Sequence, residues 1–228
     1  MIVAVTGLAR EARLIANPKI VSVVGGGDAV SLERRLADEL GKRARRILSI
    51  GICGALSPEL RVGDVIVASE VVADSESIPT HAPWTRELAL RVPGAVVAPL
   101  AGIDTIAGHR DAKAKLYAAT RASVADMESH VAARAARSRG LPFAALRVVS
   151  DAANRTLPPA ACVALHPSGG IDIVGVMRSL LRAPQQIPAL LRTAWEAEIA
   201  FAALFRCRHL LVGGFGVANL GELALDVG

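Results

Sequence analysis

Short apolar runs alternate along the chain with segments in which apolar residues recur every three or four positions. The runs are typical of buried strands, and they lie at 2–5, 20–24, 47–50, 65–72, 95–100, 123–125 and 143–149. The clearest helical repeat is Leu32, Leu36 and Leu40, which predicts an amphipathic helix from Ser31 onward. Further helices are predicted to begin near Leu8 and to cover 109–119, 128–139 and 171–211, the last with breaks at Pro184 and Pro188. A Pro- and Ala-rich loop is predicted over 157–167.

This alternation predicts the fold class. Most of the predicted strands are apolar on both faces, so helices must cover both sides of the sheet. We predict an α/β fold with three layers, α/β/α, around a central mixed, mainly parallel twisted sheet. The 228 residues are 52% hydrophobic, which is enough for a sizeable core. We expect one α/β domain over 1–170 and a C-terminal helical extension over 171–228 that packs on it.

Composition argues against several classes of protein. The chain has four Phe, two Trp and one Tyr at a net charge of +5, so it lacks the aromatic and basic surface that binds nucleic acid. Cys53, Cys162 and Cys207 are far apart and show no metal-ligand spacing, and the five histidines show none either. No run approaches the ~18 apolar residues of a membrane span, and the N-terminal stretch does not resemble a signal peptide. We expect a soluble cytoplasmic protein without a metal, at most peripheral to the inner face of the membrane.

Candidate chemistry lies at four places where predicted strands end, which is where open α/β sheets bind ligands. They are the segments 6–11, 51–54, 126–129 and 150–151. Each also has a purely structural interpretation. In that interpretation Asp126 or Ser129 simply caps the following helix, and the helix dipole favours Glu128 in the first turn. Asp151 would then be an ordinary N-cap, and Glu11 would form a surface ion pair. The triple glycine 25–27 is not a dinucleotide-binding fingerprint.

Four motifs in order point to one family. They are GLAREARL after the first strand, LSIGICGAL followed by RVGDVIVA, VADMES at the head of a helix, and LRVVSDAAN. Together they resemble the nucleoside phosphorylase-I superfamily over roughly residues 1 to 155. That family includes purine nucleoside phosphorylases and the methylthioadenosine/adenosylhomocysteine nucleosidases, and the resemblance implies its α/β/α fold. The tail VMRSLLRAPQQIPALLRTAWEAEIAFAAL is similar to the hopanoid-associated phosphorylases, which are thought to remove adenine from adenosylhopane.

The resemblance also implies roles for individual residues. Asp151 matches the acid that protonates the purine at N7, and Glu11 matches the water-activating carboxylate of the nucleosidases, although it lies one residue closer to Gly7 than expected. Glu128 matches the glutamate that binds the ribose. Thr105 falls where the nucleosidases place a stacking Phe, so stacking on the base is weaker here. The implied substrate-binding residues are Glu128, Met127, Ser150, Ile106, Thr105 and Gly51.

These roles agree with the chemistry of a glycosidic bond. The C–N bond breaks through a cation-like sugar, and the purine must not leave as a bare anion. Asp151 must therefore be protonated near neutral pH, which requires burial. Glu128 would place negative charge beside the developing cation. Glu11, when ionised, would take a proton from the attacking water.

Inorganic phosphate is a possible co-substrate, but the chain differs from its phosphorolytic relatives at the positions that bind phosphate. They place an Arg and a Ser where this chain has Ser49 and Ile52, and neither of these can clamp phosphate. Arg10 or Arg13 is a conceivable replacement. We therefore expect hydrolysis of a purine nucleoside, with no other cofactor. A methylthioadenosine/adenosylhomocysteine nucleosidase and a non-catalytic nucleoside-binding module are the alternatives, and the relatives imply a homo-oligomer.

The tail combines an apolar surface with arginines. Its apolar residues include Leu181, Leu191 and Trp195, and they are bordered by Arg178, Arg182, Arg192, Arg206 and Arg208. Three interpretations remain open: a helix packed on its own sheet or on another subunit, a basic amphipathic element over 171–211 at an anionic membrane, or a lid over a long hydrophobic substituent. The last two suit a nucleoside with an apolar 5′ group.

Overall fold

The computed structural model describes residues 1–41, 44–166 and 168–208. Its strands are β1 Ile2–Thr6, β2 Ile20–Val24, β3 Arg46–Ala55, β4 Val65–Ala73, β5 Glu76–Pro79, β6 Val96–Gly102, β7 Val124–Asp126 and β8 Phe143–Asp151. Its helices are α1 Ala9–Leu14, α2 Ala29–Leu40, α3 Ala82–Arg91, α4 Arg110–Thr120, α5 Ser129–Ser138, α6 Pro159–Cys162, α7 Ile173–Arg182 and α8 Ile187–Cys207. A short 3₁₀ helix, Pro184–Gln186, joins α7 to α8.

All seven predicted strands are present, and the differences have local causes. Gly51 to Gly54 do not form a turn, because parallel pairing with β8 carries β3 through them to Ala55. The strand β5 and the helix α3 were not predicted; β5 is short and owes its place to antiparallel pairing with β4. The predicted loop 157–167 contains α6. Pro188 does not break the tail helix, since it lies in the first turn of α8, where a missing N–H costs nothing.

The sheet is mixed, as predicted, with five parallel and three antiparallel pairings among its eight strands. Along one path the strands run in the order β2-β1-β3-β7-β6-β4-β5, and β8 pairs with both β3 and β4. The strands β3, β7, β6, β4 and β8 therefore form a closed circuit. The strand β3 is central, because it pairs with β1, β7 and β8.

Helices cover both faces of the sheet, which confirms the three-layer prediction. On one face Leu32 and Leu36 of α2 and Ala132 of α5 pack against Val3 and Phe143. On the other face the packing residues come from α1, α3 and α8, and they include Ile15, Trp84, Leu88, Ala200 and Leu204. Successive residues of a strand point to opposite faces, and both clusters take residues from β1, β3 and β8.

The two tail helices differ in how they are covered. Ala200, Ala203 and Leu204 of α8 are buried against the second cluster. The helix α7 has no buried residue, although its sequence is strongly amphipathic. Residues 209–211 of the predicted tail helix lie outside the described part of the chain. No helix among the described residues is both long and apolar enough to cross a bilayer.

Candidate active site

The carboxylate of Glu11 is held by backbone N–H groups at the end of β1. Its side chain is 1% exposed. The N–H groups of Gly7 and Leu8 donate to Oε2, each at 2.8 Å, and the N–H of Ile52 donates to Oε1 at 2.8 Å. Burial raises the pKa of Glu11, against the opposing effects of the Arg147 guanidinium and these N–H groups. The surface ion pair considered for Glu11 is therefore wrong.

Glu128 lies beside Glu11, on the other side of Gly7. A Cβ on Gly7 would lie 3.0 Å from Glu128 Oε1, and one on Gly25 would lie 2.6 Å from Glu128 Cγ. The glycines after β1 and β2 thus make room for this side chain. Burial raises the pKa of Glu128 to about 8, opposed by Arg147 and reinforced by the negative charges of Asp126 and Glu11.

A buried arginine, which sequence reasoning missed, joins these groups. Arg147 is 1% exposed and contacts the Asp126 carboxylate through Nε. Its Nη2 donates to Ser49 Oγ at 2.5 Å and to Ser129 Oγ at 3.1 Å, and lies 3.9 Å from Glu128 Oε2. The signal was present in the sequence, because one cation inside an apolar strand buried on both faces requires buried counter-charges. We call Glu11, Asp126, Glu128 and Arg147 the carboxylate cluster.

Asp126 has a structural role within this cluster as well. Its Oδ1 accepts the N–H of Ser129 at 2.9 Å, and its Oδ2 accepts the Ser129 hydroxyl at 2.5 Å. Asp126 is not the N-cap of α5, which is Glu128, but its carboxylate binds the first residue of the helix and also carries the charge that Arg147 needs.

Gly51 lies where the carboxylate cluster leaves no space for a side chain. A Cβ at this position would lie 2.5 Å from Glu11 Oε1 and 2.7 Å from Arg147 Nη1. The close approach of the Glu11 and Arg147 side chains to β3 therefore requires glycine at this position.

Asp151 forms a second charged group at the end of β8. Its Oδ2 is in direct contact with the ammonium of Lys113, and its Oδ1 lies 2.8 Å from Ser150 Oγ. The N-cap interpretation of Asp151 is wrong, because Asp151 is the last residue of β8 and the next helix begins only at Pro159. Sequence reasoning missed Lys113, since a lysine on an otherwise polar helix gives no signal of burial. We call Asp151 and Lys113 the acid pair.

The strand β3 holds the two charged groups close together. Ile52 donates its N–H to Glu11, the Cys53 carbonyl accepts the Ser150 hydroxyl at 3.0 Å, and Gly54 lies opposite Asp151. Ile52 and Gly54 are two residues apart, which is roughly 7 Å along a strand. Three carboxylates from distant parts of the sequence thus lie along one stretch of β3.

The other predicted binding residues surround this centre unequally. Met127 is half-buried. A Cβ on Gly27 would lie 3.1 Å from Met127 Cε and 2.7 Å from Leu165 Cδ2. Thr105 and Ile106 are exposed on the loop between β6 and α4, with Ile106 45% exposed. No described contact joins either of them to the carboxylate cluster or the acid pair.

The two arginines considered as a phosphate clamp do not enter the centre. The Arg10 guanidinium pairs with Glu198 of α8, with Nη2 2.6 Å from Oε2, and lies over the Phe201 ring at 4.0 Å. Arg13 is exposed. Among the described residues, no group of three His, Cys, Asp or Glu side chains is arranged to hold a metal ion.

The arrangement suits a reaction that develops positive charge. Asp126, Glu128 and Glu11 supply three carboxylates against one guanidinium. Electrostatic stabilisation is strongest where fixed charges lie in a buried site. The raised pKa of Glu11 favours its action as a base, and Asp151 lies close enough for an acid to act on the same molecule.

Comparison with known proteins agrees with this chemistry. Residues 2–165 match the family model described as the phosphorylase superfamily. The match confirms the resemblance predicted from the four motifs and places the chain among enzymes that cleave glycosidic bonds. No curated protein sequence matches the chain significantly.

Solved structures show the same fold at low sequence identity. The apo 5′-methylthioadenosine nucleosidase of Arabidopsis thaliana is 16% identical, with a TM-score of 0.64, covering 97% of this chain and 98% of that one. The 5′-methylthioadenosine/S-adenosylhomocysteine nucleosidase of S. pneumoniae with a transition-state inhibitor is 12% identical, with a TM-score of 0.59, covering 91% and 97%. A futalosine hydrolase mutant of Helicobacter pylori is 17% identical, with a TM-score of 0.58, covering 65% and 89%.

Proposed function

The chain belongs to the phosphorylase superfamily, and we propose that it hydrolyses the N-glycosidic bond of an adenosine derivative and releases adenine. One observation carries the proposal. The buried carboxylate of Glu11 binds β3 at Ile52, and Asp151 lies opposite Gly54, two residues further along the same strand, with Glu128 beside Glu11. A binding module has no need for three buried carboxylates, whose desolvation is costly.

The proposed reaction assigns one step to each carboxylate. Asp151 delivers a proton to purine N7 as the C1′–N9 bond lengthens, so that adenine leaves as a neutral molecule. Glu128, when ionised, binds the ribose hydroxyls and stabilises the cation-like sugar. Glu11 takes a proton from the water that attacks C1′. Met127 packs beside the sugar, while Ser150 fixes the Asp151 carboxyl.

We propose water as the nucleophile because of the charge of the site. A phosphate dianion approaching Glu11 would meet the carboxylates of Glu11 and Asp126, and the one guanidinium beside them is already bonded to Asp126 and Ser49. Water carries no charge and is not repelled. The exposed guanidinium of Arg10 is engaged by Glu198, which supports the same choice.

The proposal is tested by measuring adenine release in phosphate-free buffer, with and without added phosphate. We expect release by the unchanged enzyme without phosphate, and a loss of about 10²–10⁴-fold in Asp151→Asn, the usual contribution of a general acid. Asp38→Asn, at an exposed position of α2, is the matched control. Full activity of Asp151→Asn contradicts the acid role, and an absolute requirement for phosphate contradicts hydrolysis.

We further propose that the 5′ substituent is large and apolar, as in adenosylhopane. Leu165 lies close to Gly27 and Met127, and it forms a β-bridge with Ile171, two residues before α7. Apolar residues therefore connect Met127, on the proposed sugar side of the site, with the segment that leads into α7. Methylthioadenosine is the competing substrate, favoured by the names of the structural neighbours. Comparing kcat/KM for the two nucleosides decides between them, and a preference for methylthioadenosine contradicts the larger ligand.

A substrate with such a substituent lies in a membrane, and we propose that α7 contacts an anionic bilayer. Ile173, Met177 and Leu181 form an exposed stripe at four-residue spacing, with exposures of 68%, 51% and 81%. Arg178 and Arg182 lie one residue further along, on the adjacent stripe. An apolar stripe bordered by cations matches the acyl chains and headgroups of an anionic membrane.

Flotation with vesicles tests this contact. The unchanged protein should float with vesicles that contain phosphatidylglycerol and not with pure phosphatidylcholine. Leu181→Glu should abolish flotation, whereas Leu90→Glu, at a position 80% exposed on α3, should leave it unchanged. Absence of flotation by the unchanged protein contradicts the membrane contact, and size-exclusion chromatography shows whether a second copy covers α7 instead.

A further inference from the structure

Lys113 differs from every other residue of its helix. It is the only buried residue of α4, at 1% exposure, whereas Arg110 and Lys115 on the same helix are exposed. Its ammonium contacts Asp151 Oδ2 and donates to the Ala152 carbonyl at 2.9 Å. Burying a lysine is costly unless a specific charge compensates it, so Lys113 depends on Asp151 as its counter-charge.

The pairing creates a difficulty for the proposed acid. A cation in contact with a carboxyl group favours its ionised form, and the Lys113 ammonium is in direct contact with Asp151 Oδ2. An ionised carboxylate has no proton to give to a purine. The proton required for the reaction must therefore reside elsewhere within the acid pair.

We propose that Lys113 holds, in the free enzyme, the proton that the purine receives, and passes it through Asp151. The inference rests on the proposed function and assigns Lys113 as a positioning residue that does not itself touch the base. As the C1′–N9 bond breaks, its electron pair moves into the purine ring. N7 takes a proton from Asp151, and Asp151 takes one from the Lys113 ammonium.

The step balances, and the surroundings permit it. The products are adenine protonated at N7, the Asp151 carboxylate and a neutral Lys113 amine, which regains its proton from solvent after release. The amine can still donate an N–H to the Ala152 carbonyl, so it is not left unpaired. The charge of Asp151 also acts on the thiols of Cys53 on β3 and Cys162 on α6. Burial raises the pKa of both thiols, which keeps them neutral, so neither adds a charge beside the pair.

Two variants separate proton supply from simple charge balance. An arginine preserves the positive charge but does not give up its proton. In Lys113→Arg we therefore expect adenine release about 10²-fold below the unchanged enzyme at every pH. In Lys113→Met the buried Asp151 takes up the proton itself, so release should be within tenfold of the unchanged enzyme at pH 6 and about 10²-fold below it at pH 8. Each variant is compared with the unchanged enzyme at the same pH, so that ionisation of Glu128 affects both rates equally.

A second substrate keeps the test sharp. A 4-nitrophenyl β-riboside releases a phenolate that needs no proton, so its hydrolysis by Lys113→Met at pH 8 should stay within a fewfold of the unchanged enzyme. Lys115→Met is the matched control on the exposed side of α4. Full activity of Lys113→Arg, a pH-independent ratio for Lys113→Met, or equal losses on both substrates overturns the inference.

The two proposals fail separately. If the unchanged enzyme releases adenine but the Lys113 variants give one of the three results that overturn the inference, only the role of Lys113 is wrong. If the unchanged enzyme releases no adenine from any nucleoside offered, the proposed function is wrong and the role of Lys113 with it. Should Lys113→Arg fail to fold, the pH ratio and the two-substrate comparison in Lys113→Met still decide.

Discussion

The carboxylate cluster and the acid pair lie along the same stretch of β3, yet they balance charge differently. The cluster sets three carboxylates against one guanidinium, whereas the pair sets one carboxylate against one ammonium. The cluster therefore carries an excess of negative charge when its members are ionised, and this excess adds to burial in raising the pKa of Glu128. The pair is neutral overall. Negative charge suits the place where a cation forms, and a neutral pair suits the transfer of a proton.

The largest expected effect comes from removing the cation of the carboxylate cluster. Arg147→Met leaves Glu11, Asp126 and Glu128 buried without a counter-charge, and the free energy of unfolding should fall by about 3–5 kcal/mol. Lys113→Met should cost less, because a single buried carboxyl can take up a proton. Urea unfolding at pH 7 measures both variants. Equal losses would show that the two groups depend on their cations to the same degree.

Activity should depend strongly on the base within the cluster. Glu11→Gln keeps the shape of the side chain but cannot take a proton from water, so kcat should fall about 10²–10⁴-fold. Glu33→Gln, at an exposed position of α2, provides the control. Adenine release measures both variants, and a Glu11→Gln enzyme with unchanged kcat would remove Glu11 from the reaction.

Packing around the cluster should be less tolerant than packing at the surface. In Gly51→Ala the added carbon would lie 2.5 Å from Glu11 Oε1, and the resulting displacement should cost about 1–3 kcal/mol of unfolding free energy. Gly41→Ala meets no atom closer than 3.7 Å and should change stability little. Thermal unfolding compares the two variants, and a neutral Gly51→Ala would mean that the cluster has room to spare.

Measured per pH unit, the smallest expected effect is a slope of stability with pH. The folded-state pKa of Glu128 is raised from 4.5 to about 8, so the folded protein holds a proton that the unfolded chain has released. The unfolding free energy should therefore fall as pH rises through this window, by at most about 1.4 kcal/mol per pH unit for one proton. Glu128→Gln should flatten the slope, as urea unfolding at several pH values will show. A slope that persists in this variant belongs to another group.

The sequence predicted more of the acids of the two charged groups than of their cations. Glu11, Glu128 and Asp151 stand in motifs beside glycines or at strand ends, where their positions carry information. Arg147 was visible as a charge inside an apolar strand, but its partners depend on how β3, α5 and β8 assemble. Lys113 lies 38 residues from Asp151 on a helix of mostly exposed residues, so only its contact with Asp151 in the folded structure reveals its burial.

The fold shows the same division between local and distant information. Apolar runs marked the buried strands within a few residues, because period and composition are local properties. The closed circuit of β3, β7, β6, β4 and β8 was not predicted, since pairing between distant strands leaves no local trace. The short strand β5 escaped for the same reason, because its pairing with β4 defines it.

The position of β8 in the chain imposes an order on maturation. This last strand of the described residues carries both Arg147 and Asp151, while Glu11, Asp126 and Glu128 come from segments synthesised earlier. Until β8 inserts between β3 and β4, those acids have no internal counter-ion and must remain hydrated. A nascent chain that ends before residue 143 therefore lacks the cation of the carboxylate cluster, and the reaction centre can assemble only once β8 is in place.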